Sequence, residues 1–168
     1  MSDVTVSIVL DASPATVWSI VEPIEDHVDW MADAVAIRFE TERRRGVGTR
    51  FACDTRIGPI RLTDHMEITR WVPAVGPADG GASTDGAMGV THTGIVTGRG
   101  VFTLEPTTHG DRTRFTWSES LEFPWYLGGR IGEVVAGRLV LGPVWRRNLR
   151  RLARIVEERT GGSSTTVG

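Results

Sequence analysis

Val4, Val6, Ile8 and Leu10 are spaced two apart, with Asp3, Thr5 and Ser7 between them. This period of two predicts a strand with one buried face. Ser13-Pro14 reads as a helix cap followed by a first helical residue, and Val17, Ile20 and Val21 give the short helix an apolar side before Pro23 stops it. Ile24 to Met31 predicts a brief second helix or turn. Strand-like runs follow over Val35 to Glu40, Gly48 to Ile57 and Ile60 to Trp71, separated by Arg43-Arg44-Arg45-Gly46 and Gly58-Pro59. Pro73 to Gly86 is loop by composition. Three more strands are predicted near Met88 to Thr93, Gly98 to Glu105 and Thr113 to Phe123, the last two joined by Pro106 to Asp111.

The period changes at the C-terminal end. Leu141, Trp145, Leu149, Leu152 and Val156 recur at steps of four and three, and Arg146, Arg147, Arg150, Arg151 and Arg154 take the other side. That is the stripe of an amphipathic helix, which Thr160-Gly161-Gly162 ends. Its upstream half, Gly128 to Gly142, holds five glycines, each costing about 1 kcal/mol against alanine in a helix interior. A loose or kinked segment is expected there, around Gly142-Pro143. The order of elements predicts an α+β fold. A curved antiparallel sheet of about seven strands buries one face on the long terminal helix, and a sheet that curls around one helix cannot touch it everywhere, so a cavity is expected between them. Residues 1–160 form one domain and 161–168 a Gly/Ser/Thr-rich tail.

With 168 residues and a net charge of −2, the chain is long enough for one sizeable core and has no global field to attract nucleic acid. All basic residues are arginine. The lone Cys53 cannot form an internal disulfide, and neither a secretion signal nor a membrane-length apolar run is present, so a cytoplasmic location is the expectation. The four histidines and Cys53 show no metal-ligand spacing, and no nucleotide fingerprint or serine-nucleophile elbow occurs. No metal and no cofactor are expected.

The strand, the Ser13-Pro14-x-x-Val17-Trp18 helix, Asp29-Trp30-Met31, Gly98-x-Gly100-x-Phe102-x-Leu104-Glu105-Pro106, Thr113-Arg114-Phe115-x-Trp117-x-Glu119 and the terminal helix together resemble the START-related SRPBCC superfamily, labelled polyketide cyclase/dehydrase. The likeness spans Val4 to Glu158. It implies a helix-grip fold holding a small hydrophobic molecule, lipid or polyketide-like, between sheet and helix.

Candidate chemistry centres on the last strand. Phe115, Trp117, Leu121 and Phe123 share one face with Glu119 among them. A carboxylate on an apolar face must find partners or rise in pKa, and a raised pKa suits a general acid near neutrality. Trp117 and Phe115 would wall the cavity. His92, beside a glycine-flanked turn, could exchange a proton with a ligand or with Glu119 if both share a face. Leu62, Met66 and Ile68 mark another inner face, on which Asp64 is the polar intruder; His65 then points outward. Arg99 between Gly98 and Gly100 could meet an acidic ligand group, Cys53 reads as buried, and His27 and His109 read as solvent-facing. The arginine strip of the last helix reads as a solvated face, with contact to an anionic membrane as an alternative.

The leading expectation is a binding protein in which Phe115, Trp117, Glu119, His92, Asp64, Met66, Arg99 and Gly132 contact a mostly apolar ligand. A cyclase or dehydratase using Glu119 and His92 for proton transfer is the alternative, and a lipid carrier or interaction module using the basic helix is a third. The glycines of 128–142, Gly132 and Gly137 among them, would leave room for the ligand and its way in.

Overall fold

The computed structural model describes residues 2–76, 84–108, 111–122 and 141–161. The described residues form seven strands: β1 (Ser2–Leu10), β2 (Ala34–Phe39), β3 (Arg50–Ile57), β4 (Ile60–Val72), β5 (Gly86–Thr93), β6 (Thr97–Pro106) and β7 (Thr113–Glu122). Helix α1 (Pro14–Val21), a single 3-10 turn (Ile24–Asp26) and the one-turn helix α2 (His27–Trp30) lie between β1 and β2, and α3 (Gly142–Gly161) closes the fold. The sheet order is β1-β7-β6-β5-β4-β3-β2, with every neighbouring pair antiparallel and the sheet left open. This is the α+β architecture that the chain's patterning predicts, and the helix-grip fold that the family resemblance implies.

The expected cap forms as read. Ser13 accepts the Thr16 backbone N–H at 3.3 Å and Pro14 opens α1, an arrangement worth about 1 kcal/mol. Helix α3 buries Trp145, Leu149, Leu152 and Val156 and exposes Arg146, Arg147, Arg150 and Arg154, so the arginine strip is a solvated face. Gly142 and Pro143 stand at the start of α3, where a proline needs no donor partner. The upstream glycine-rich stretch, Gly132 and Gly137 included, lies outside the described residues, as do His109 and the tail after Gly161.

Two polar residues are buried against expectation from pattern. Asn148, completely buried on the apolar stripe of α3, accepts the Ala32 N–H at 2.8 Å and donates to Asp33 at 2.6 Å. These bonds fasten the helix to the segment between α2 and β2. His27, read from the sequence as solvent-facing, is only 5% exposed. Its Nε2 donates to the Val21 carbonyl at 2.7 Å, and its ring meets Trp30 and Phe102 edge to face. The chain reverses so tightly after α1 that the first residue of α2 is turned inward, and burial pushes its imidazole down to about 4.

Candidate functional site

Strand register decides which side chains meet on the concave face. Met66 of β4 pairs with His92 of β5, His92 with Gly98 of β6, and Gly98 with Leu121 of β7. One step along, Val90 pairs with Gly100 and Gly100 with Glu119. Directly paired residues share a face, so His92 and Glu119 stand on the inner face with only two glycines of β6 between them. Gly98 has φ +145°, and a Cβ there would fall 2.1 Å from the Ser120 carbonyl oxygen. A Cβ on Gly100 would reach within 3.1 Å of the Glu119 Cγ and Oε1. The bare stretch of β6 is what lets the two titratable groups approach.

Asp64 completes the group from β4. His92 Nδ1 donates to Asp64 Oδ2 at 2.5 Å, and His92 Nε2 lies 3.9 Å from Glu119 Oε1. That separation is too long for a direct hydrogen bond. Trp117 Nε1 donates to Glu119 Oε1 at 2.9 Å, and the same indole stacks on Trp145 of α3 with ring centres 4.9 Å apart. The terminal helix thereby braces the residue that holds the carboxylate. His92 Nε2 and Asp64 Oδ1 are buried without a hydrogen-bond partner.

All three groups line a cavity of about 150 Å³ between the sheet and α3. Its walls are otherwise mostly apolar, with Phe51, Met66, Met88, Phe102, Trp117 and Trp145 prominent. Burial raises Glu119 most, against the opposing pull of His92 and of the Trp117 hydrogen bond, and its carboxyl is pushed up to about 7. For His92, burial alone would lower the imidazole. The hydrogen bond to Asp64 and the charges of Glu119 and Asp64 outweigh it, and the net shift is upward. Near neutral pH the pair can therefore hold and pass a proton. Asp64 fixes the ring so that Nε2, not Nδ1, faces the cavity. Cys53, opposite Asp64 in the β3–β4 register, also lines the cavity, and burial pushes its thiol up to about 11, which leaves it a poor nucleophile.

The structure brings Asp64, Met66, His92, Trp117 and Glu119 to this cavity. Phe115 is not on it: fully buried, it packs edge to face on Trp30 and tilted against Phe102 deeper in the core. Arg99 is also elsewhere. Its side of β6 is the outer face, where it lines a groove with Thr5, Arg70 and Ser118. His65, as expected, points outward and donates to Glu40 at 2.7 Å. Gly132 lies outside the described residues. Sequence reading missed the lining positions His27 and Asp33 and the bracing role of Trp145. Only the pairing of β6 shows what its two glycines do. Among the described residues, no set of three His, Cys, Asp or Glu side chains is placed to hold a metal ion, and no helix is long and apolar enough to cross a membrane.

The sequence profile described as polyketide cyclase / dehydrase and lipid transport matches residues 1–157. Solved structures share the fold at low identity. A START superfamily protein from Mycobacterium smegmatis is 15% identical, with 98% of this chain and 100% of that chain covered and a TM-score of 0.64. The Zhui aromatase/cyclase from a Streptomyces species is 17% identical, with 98% of each chain covered and a TM-score of 0.64. A protein from Thermus thermophilus is 15% identical, covering 97% of this chain and 99% of that one, with a TM-score of 0.63. No curated protein sequence matches significantly.

Proposed function

The chain belongs to the polyketide cyclase / dehydrase and lipid transport family, and from that premise we propose that it encloses a small, mostly apolar molecule in the cavity between the sheet and α3. The observation that carries this reading is a polar cluster, Asp64, His92 and Glu119, with Asp33 also on the wall and its charge felt at Glu119, set into otherwise mostly apolar walls. Ligand sites have this composition: apolar surface supplies affinity and a few placed polar groups supply orientation. The experiment is native mass spectrometry of the protein purified from its own host. A bound small molecule that is lost when the cavity is filled by Val90→Trp supports the reading; ligand-free protein that also takes up no apolar probe defeats it.

The same cluster favours a second reading, acid–base catalysis of the cyclase or dehydratase kind. Asp64 orients the His92 ring, Nε2 is presented to the cavity, and Glu119 retains a proton up to about neutral pH. An acid and a base on one wall would serve proton removal from one ligand atom and delivery to another. Loss of turnover in both Glu119→Gln and His92→Ala is expected, with binding retained. Full turnover in either variant removes that residue from the mechanism.

A further inference from the structure

We infer that the molecule held in this cavity is a single apolar ring bearing a hydroxyl group, and that the hydroxyl bridges His92 Nε2 and Glu119 Oε1. The inference deepens the binding reading and rests on it. His92 Nε2 is buried, unpartnered and on the cavity wall, and Glu119 Oε1 stands 3.9 Å away. An oxygen atom placed between them, about 2.8 Å from each, satisfies both.

The donor and acceptor roles select the kind of oxygen. When one proton is shared between the imidazole Nε2 and the carboxylate, one of the two groups donates and the other accepts, whichever holds it. Asp64 takes His92 Nδ1, which leaves Nε2 as the open ring nitrogen, and Trp117 donates to Glu119 Oε1, which leaves that oxygen one further site. A ligand group must therefore accept from one side and donate to the other through a single atom. A hydroxyl does both; a ketone or ether oxygen only accepts, and a hydrocarbon does neither. Leaving the buried nitrogen without a partner carries the full desolvation penalty, so the site discriminates by rejection as well as by attraction.

Size points to one ring. A cavity of about 150 Å³ is of the order that holds a benzene molecule in an apolar protein interior. The walls offer flat surface for it, the Trp117 indole stacked on Trp145 and the Phe102 ring beside it.

The test uses four probes with the full chain: phenol against toluene, and cyclohexanol against cyclohexanone, with Kd measured at pH 5, 7 and 9. The hydroxyl member of each pair is expected to bind about tenfold more tightly at pH 7, in line with one net hydrogen bond to a charged partner. The preference should shrink at pH 5 and pH 9, where the pair becomes two donors or two acceptors. Glu119→Leu should reduce it to under threefold. Should that variant fail to fold, the pH series on the unaltered protein decides alone. Equal affinities within each pair, or a preference that ignores pH, overturn the inference while leaving the cavity reading standing. Failure of all four probes to bind overturns both.

Discussion

Gly100 stands directly opposite Glu119 in the β6–β7 register, and a methyl group there would lie 3.1 Å from the Glu119 carboxylate and equally close to the Val90 side chain. The position of the carboxylate is thus set by an atom that is missing from its neighbour. Gly100→Ala should push the Glu119 carboxylate away from His92 and cost about 1–3 kcal/mol as local overpacking. Because the Glu119 charge helps to raise His92, the imidazole midpoint followed by NMR should fall. An unchanged midpoint would show that Gly100 does not govern the pair.

Asp64→Asn keeps a hydrogen-bond acceptor for His92 Nδ1 but removes the charge. Burial then faces less opposition, and the His92 midpoint should drop. Its companion, Glu40→Gln beside the exposed His65, should leave the His92 signal unmoved. Equal responses of His92 to the two substitutions would contradict the assigned partners.

Stability against pH separates two buried groups of opposite sign. Glu119 is raised to about 7 in the fold, so between its unfolded value near 4.5 and pH 7 the folded state binds more protons and loses stability as pH rises. His27 is lowered to about 4, so between pH 4 and its unfolded value near 6.5 the folded state binds fewer protons and gains stability as pH rises. The two slopes oppose each other across pH 4.5 to 6.5. Urea unfolding of Glu119→Gln should reveal the rising slope of His27, and His27→Phe the falling slope of Glu119. Identical pH profiles in both variants would refute the assignment.

The seam between α3 and the rest of the fold has a hydrogen-bonded part and a stacked part. Asn148→Ala orphans the Ala32 N–H and one Asp33 interaction and should cost about 1–3 kcal/mol. Trp145→Ala removes the stack on Trp117 and should cost about 3–5 kcal/mol. Arg150→Ala, on the solvated face, should stay within about 0.5 kcal/mol of the parent. Denaturant midpoints rank the three.

Most of the frame is legible in the chain because the long elements carry a clear period, alternation in β1 and steps of three and four in α3, and a proline or glycine stands at most breaks. Glu119 is legible as a carboxylate on an apolar face for the same reason. Phe115 and Trp117 share that face, yet one is core and the other cavity wall, since the curvature of the sheet sets depth and period does not. The meeting of His92 with Glu119 depends on the register across three strands, in which residues about twenty-five apart come together. His27 escapes pattern reading because α2 is a single turn, too short for a period to show. Asn148 interrupts an apolar stripe, a signal that a buried polar anchor was present, although its partners lie more than a hundred residues upstream.

Three of the four methionines of the chain, Met31, Met66 and Met88, line the cavity, which makes methyl NMR of methionine-labelled protein the most direct measure of whether a small molecule is held there. On titration with cyclohexanol, the account predicts that the Met66 and Met88 methyl signals, flanking His92 in β4 and β5, shift together along one saturating curve, and that Val90→Trp abolishes the response. Methyl signals that stay in place while the probe is in large excess, or that move equally in Val90→Trp, would contradict it.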